Sequence, residues 1–142
     1  MSNKRVNEIF LFDIYVAIGK IEIVCSAFDN ADDLLHDFIS WDSVIREFEI
    51  VGEATKFCIE KELVENVYRV VVDFRNKITH HYFGIDHEAV WNIVHTNLPE
   101  YKAYILEKIR TMDNQALKQE LLDATQIDNK NYPQVLKQLE NI

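Results

Sequence analysis

Three glycines and two prolines are all the chain has among its 142 residues, and this shortage of turn-forming residues constrains the fold more than any other feature. Tight hairpins depend on Asn-Gly, Asp-Gly or similar pairs, and the sequence has no Asn-Gly or Asp-Gly. Long helices joined by few loops need no such punctuation. The expected class is therefore all-α. Length points to one domain, and 48% hydrophobic with 27% charged residues is enough apolar material for a real core.

The apolar pattern divides the chain into helices. From about Val6 to Phe28 apolar residues are dense enough for a long helix buried on more than one face. Asn30 is placed to cap a short connecting helix, with Asp32 and Asp33 in a first turn where the helix dipole favours negative charge. A second long helix carries Val44, Ile45, Phe48, Val51, Ala54, Thr55 and Cys58 on one stripe, with Asp42 or Ser43 as its cap. A third run begins near Leu63 or Glu65 and reaches Arg75. Its consecutive valines 70 to 72 also suit a strand, but helical neighbours and length favour a helix. Asp86 caps a fourth helix, and Pro99 predicts a kink or restart near Asn97. Beyond Arg110 the sequence is more polar and predicts one amphipathic helix plus a loosely attached tail. The expected division is thus a helical domain over 1–110 and a C-terminal extension over 111–142.

Several function classes are excluded by composition and motif. The most apolar segment, residues 9–24, is interrupted by Asp13, Lys20 and Glu22 and never offers the roughly 20 clean residues of a membrane span. Cys25 and Cys58 lie in apolar stretches without metal-type spacing or an upstream secretory signal, which reads as reduced core thiols in a cytoplasmic protein. No glycine-rich phosphate loop, nucleophile elbow or HExxH motif is present. Glu47, Glu49 and Glu53 read as a polar helix face, and His36, His87 and His95 as surface or capping residues. Neither a metal site nor a cofactor is expected.

One cluster stands apart. A net charge of −9 opposes broad attachment to nucleic acid, yet Arg69, Arg75 and Lys77 against Asp73 give +2 over residues 69–82, leaving −11 on the rest. Within this island Arg75 is followed five residues later by His80 and two further on by Tyr82. A permanent cation beside a group that titrates near neutral pH is what metal-free chemistry on a phosphodiester requires. Asn76 is placed to fix the Arg75 guanidinium or bind a substrate hydroxyl, and Asp73 to hold a basic group. On a straight helix, however, Arg75 and His80 point about 140° apart, whereas Arg75 and Tyr82 differ by about 20°. The two converge only if the helix ends near Thr79 or His80, with Gly84 assisting, or if two subunits share a site. Spacing alone leaves two readings open: a solvated helix end whose cations complement the dipole, or a site.

The stretch RNKITHHYFGID resembles the HepT-like branch of the HEPN superfamily, whose hallmark is Arg, four to six residues, His, any residue, Tyr. A second stretch, WDSVIREFEIVGEATK, is similar to that family's long second helix at Ile45, Arg46, Glu49, Ile50, Gly52, Glu53 and Ala54. A third, VWNIVHTNLPEYKAYI, resembles its closing helix. The three matches fall in order across about residues 5 to 110 and favour the site over the solvated helix end.

The resemblance implies an up-and-down bundle of four to five main helices that forms a homodimer, with two Arg-His motifs meeting in an interface cleft. It further implies a metal-independent endoribonuclease acting as a toxin, paired with a nucleotidyltransferase antitoxin of the MntA type that transfers AMP to Tyr82. Carried onto this chain, Arg75 stabilises charge on the phosphorane and His80 serves as general base or acid, leaving a 2′,3′-cyclic phosphate on the RNA. Asn76, Lys77, Asp73 and His81 are the residues expected to bind or orient substrate, and His81 shares the candidacy for proton transfer. Two other readings stay open. One is a non-catalytic accessory subunit of a nucleotidyltransferase; the other is a purely structural scaffold, which leaves the basic island unexplained.

Overall fold

The computed structural model describes residues 6–80 and 84–142, with the side chains of Thr79 and His80 outside the description. Among the described residues every regular element is helical: α1 (Ile9–Cys25), α2 (Ala31–Leu35), α3 (Phe38–Glu60), a 3-10 turn (Asn66–Tyr68), α4 (Arg69–His80), α5 (His87–His95), α6 (Asn97–Arg110), α7 (Gln115–Asp128) and α8 (Pro133–Leu139). The all-α expectation holds.

Helix α1 is the central element. Leu11, Phe12, Ile14, Tyr15, Ala17, Ile18, Ile21 and Cys25 are all buried, more than one stripe can supply, because α3, α6, α7 and α8 pack around it. It runs antiparallel to α3, as the contact of the Phe10 and Phe57 rings near one end (4.3 Å between centroids) and the groove shared by Lys20 and Glu47 near the other indicate. Helix α4 packs on α3 through Phe74 against Phe48, and α6 reaches α3 through a buried hydrogen bond of 2.7 Å between the Tyr101 and Thr55 hydroxyls. Cys25 and Cys58 are free and buried, and burial pushes their thiols up to about 11 and about 12.

Local signals placed several boundaries correctly. Asn30 accepts from the Asp33 amide, and Asp86 accepts from the Glu88 and Ala89 amides. Thr96, with φ −121° and ψ −75°, breaks α5 from α6, and Pro99 lies in the first turn of α6.

Three boundaries differ from expectation. Helix α3 starts at Phe38, capped by Asp37 rather than Asp42 or Ser43; Phe38 and Ile39 project into solvent, so the buried stripe begins a turn after the helix does. The third run begins beside Glu65 as expected, but as a 3-10 turn, and its α-helical part starts only at Arg69. Glu62 adopts a left-handed conformation (φ 61°) that closes α3, with the Leu63 amide on the Cys58 carbonyl, and the 3-10 turn precedes α4. Finally, the tail is not loosely attached. Pro133 opens α8, whose Val135 and Leu139 are buried, the Tyr15 hydroxyl donates to the Gln138 carbonyl at 2.8 Å, and Arg110 donates to the Asn141 carbonyl. Leu121, Leu122, Val135 and Leu139 belong to the same hydrophobic core as α1. Among the described residues no helix is long and apolar enough to cross a membrane.

Candidate active site

Arg75 sits in the middle of α4 and turns towards α3, where Gly52 lets the two helices approach. A Cβ on Gly52 would lie 2.2 Å from Arg75 Cβ and 2.4 Å from its Cγ, so the stem of the arginine fills the space where a side chain would otherwise be. This directs the guanidinium to the next residue of α3. Nη2 forms an ion pair with Glu53 Oε1, and Nη1 donates to Asn76 Oδ1 at 3.0 Å.

The Arg75 side chain is 24% exposed and that of Glu53 57% exposed, so the pair stands at the wall of an open groove of about 450 Å³ between α1 and α3. Phe10, Asp13, Arg46, Glu49 and Phe57 also line it. Two aromatic rings and a mixture of fixed charges of both signs therefore surround one partly desolvated guanidinium. A guanidinium is suited to binding phosphate oxygens through charge-assisted hydrogen bonds.

The sequence-predicted residues do not all share this groove. Arg75 and Asn76 are joined directly. Asp73 and Lys77 are exposed and line the opposite side of α4, in a groove with Phe48, Ile93 and Tyr101. Lys77 continues from there into a second groove beside Gly84 and Asp86. The carboxylate found on Arg75 is thus Glu53 rather than Asp73. His80 is the last residue assigned to α4; His81 and Tyr82 lie outside the described residues.

Glu53 is the residue that sequence reasoning missed, and its assignment to a plain polar face is corrected by the ion pair with Arg75. A signal was present: a glycine in a helix interior, immediately before it, marks a place where another backbone or side chain comes close. Further along α3, burial raises the Glu47 carboxyl above its ordinary range, opposed by Lys20 and Arg46.

The remaining histidines serve local structure. His36 and His95 bond the carbonyls of Asp32 and Trp91, and His87 Nε2 lies 2.7 Å from Asp32 Oδ1. Asp32, His87 and Glu88 together offer three ligand atoms within 4.8 Å of one another, the described group whose donor set could accept a cation. Asp32 and Glu88 are largely exposed, and none of the three lines the Arg75 groove; the Asp32–His87 bond ties α2 to α5.

Comparison with known proteins adds a family to this geometry. The family model described as "Ribonuclease HepT-like" matches residues 14–108, a span that contains Gly52, Glu53, Arg75 and His80. A Methanocaldococcus jannaschii protein named "Putative RNase" is 32% identical over 103 residues, covering 70% of this chain and 94% of the relative. A Thermococcus cleftensis protein named "Probable ribonuclease HepT" is 33% identical over 114 residues, covering 75% and 98%. No solved structure matches the chain.

Proposed function

The chain belongs to the HepT-like ribonuclease family of the HEPN superfamily, and from that membership and the setting of Arg75 we propose that it is a metal-independent endoribonuclease. The carrying observation is that Arg75 is a placed cation. It is held at both terminal nitrogens, by Glu53 and Asn76, and presented at a groove wall rather than spread into solvent like an ordinary helix-end charge. A guanidinium fixed in this way stabilises charge on a pentacoordinate phosphorane without reorganising during the reaction.

In this reading the ribose 2′-hydroxyl attacks the adjacent phosphorus, P–O5′ breaks, and the products carry a 2′,3′-cyclic phosphate and a 5′-hydroxyl. Arg75 binds the phosphoryl oxygens, Asn76 keeps the guanidinium oriented, and His80 transfers a proton, with His81 as its neighbour in that task. Lys77 and Asp73, on the other side of α4, contact RNA outside the reacting phosphate.

The protein works as a cytoplasmic homodimer in this proposal. Pairing two chains supplies the convergence of arginine and histidine that one straight helix lacks, and the exposed Phe38, Ile39, Val67 and Val70 on and beside α3 and α4 support an apolar contact between copies. Residues 1–110 form the catalytic domain and 111–142 an appended buttress. The dimer is a toxin silenced by an MntA-like nucleotidyltransferase, which adds AMP to Tyr82; the added phosphate and nucleoside repel and block RNA.

The test is cleavage of RNA in EDTA by wild-type protein, Arg75→Ala and His80→Ala. Loss of at least 100-fold in each variant is expected, and equal cleavage by all three rejects the assignment. For control by the partner, co-expression with a neighbouring nucleotidyltransferase should add the mass of one AMP, absent in Tyr82→Phe; an unmodified wild-type chain removes that part. Sedimentation at micromolar concentration should give twice the chain mass.

A further inference from the structure

Cleavage by a 2′-hydroxyl moves two protons. One leaves O2′ as the O2′–P bond forms, and another must reach O5′ as P–O5′ breaks, so the forward direction calls for two groups, a base and an acid. We infer that Glu53 is the general base that takes the 2′-hydroxyl proton, leaving His80 to protonate O5′; this rests on the ribonuclease reading above.

The argument is geometric. Glu53 Oε1 is in direct contact with Arg75 Nη2, so a phosphate bound by that guanidinium lies beside the carboxylate. The 2′-hydroxyl that attacks is attached to the ribose next to that same phosphate, which brings it within reach of Glu53. The carboxylate is also accessible, at 57% exposure, and faces the groove in which Arg75 is presented. Its place on α3, immediately after the glycine against which Arg75 packs, fixes the distance between base and cation by helix packing.

The cycle balances: Glu53 ends protonated and His80 neutral, the cyclic phosphate and the 5′-hydroxyl leave, and exchange with water restores both groups. Asp13 and Glu49 line the same groove, and Asp13 is the competing carboxylate.

Leaving-group chemistry separates base from acid. Wild type, Glu53→Gln, Asp13→Asn, His80→Ala and Arg75→Ala are assayed in EDTA on an RNA oligonucleotide and on a ribonucleoside 3′-(p-nitrophenyl phosphate), whose leaving group needs no proton. Affinity for a 2′-deoxy oligonucleotide, which cannot be cleaved, is measured by fluorescence anisotropy.

Glu53→Gln is expected to lose about 100-fold or more on both substrates while keeping its affinity within about threefold. His80→Ala is expected to lose as much on RNA but to recover on the p-nitrophenyl ester. Wild-type cleavage by Glu53→Gln, its recovery on the activated ester, a loss of affinity matching its loss of rate, or a rate loss confined to Asp13→Asn each overturn the assignment. If Arg75→Ala also cleaves like wild type, the ribonuclease reading falls with it. If only Glu53→Gln does, that reading stands and the base assignment alone fails.

Discussion

Gly52 and Arg75 occupy one another's space: a methyl group on the glycine would lie 2.2 Å from the arginine's Cβ. Two neighbouring helices thus meet at the residue on which the proposed chemistry turns. Glycine inside a helix costs about 1 kcal/mol relative to alanine, so its presence in the middle of α3 needs a local reason, and the stem of Arg75 provides it.

Gly52→Ala should therefore separate α3 from α4. The neighbouring atoms belong to the arginine stem close to its backbone, which cannot swing aside, so the strain should cost about 1–3 kcal/mol in urea unfolding. RNA cleavage should fall further than the unfolded fraction explains, because Arg75 moves away from Glu53. Unchanged stability and activity together would show that the helices adjust without cost.

Gly19→Ala is the contrasting case. A Cβ there would lie 2.0 Å from Gln138 Oε1, which is the far end of a flexible side chain on α8. Gln138 can rotate away, giving up its 3.1 Å bond from Lys102, while α1 gains helix propensity. A net change under about 1 kcal/mol in either direction is expected; a larger loss would mean that α8 itself is displaced.

These two glycines also show what could be read in the sequence. Asn30, Asp86 and the restart at Asn97 were legible because a cap or a proline acts within four residues of itself. The Asp37 cap was not, because apolar periodicity reports burial and Phe38 and Ile39 are helical without being buried. The docking of α8 escaped for the opposite reason: its buried stripe is only Val135 and Leu139, too short for a period to appear. In the candidate site, Arg75 and Asn76 could be picked out as chain neighbours. Glu53 lies 22 positions away, and its pairing depends on how closely two helices pack, which spacing along one helix does not encode.

Glu62→Gly tests the end of α3. Glu62 holds φ at 61°, where a Cβ costs about 1–2 kcal/mol, in the place that glycine most often takes after a helix. Glycine should remove that strain at some cost in chain entropy, for a net gain of about 0.5–1 kcal/mol and a few degrees in Tm. A lower Tm would show that the glutamate side chain contributes more than its backbone conformation costs.

Tyr101→Phe probes the buried bond between α6 and α3. Removing one hydroxyl leaves Thr55, fully buried, without its 2.7 Å partner and should cost about 1–3 kcal/mol. Thr55→Val in the same chain removes the stranded hydroxyl as well. The double variant should therefore be more stable than the sum of the two single losses predicts, by about 1 kcal/mol in a double-mutant cycle. Strict additivity would mean that the two hydroxyls do not act as a pair.

Alkaline pH should weaken the fold through its thiols. Burial raises Cys25 from 9.0 to about 11 and Cys58 from 9.0 to about 12, so the folded state keeps protons that the unfolded chain releases first. Below pH 8 both states are protonated at these positions and they add no slope. From about pH 9 upwards the unfolded state ionises while the native state does not, and stability falls with rising pH by about 1 kcal/mol per unit for each thiol. Tyr101, raised by the same burial, adds to the loss at still higher pH. Urea midpoints measured at pH 8, 9 and 10 should show this decline, and Cys25→Ala, although less stable at pH 8, should decline less steeply. Equal slopes for the variant and the wild type would mean that Cys25 ionises in the native state as readily as in the unfolded chain.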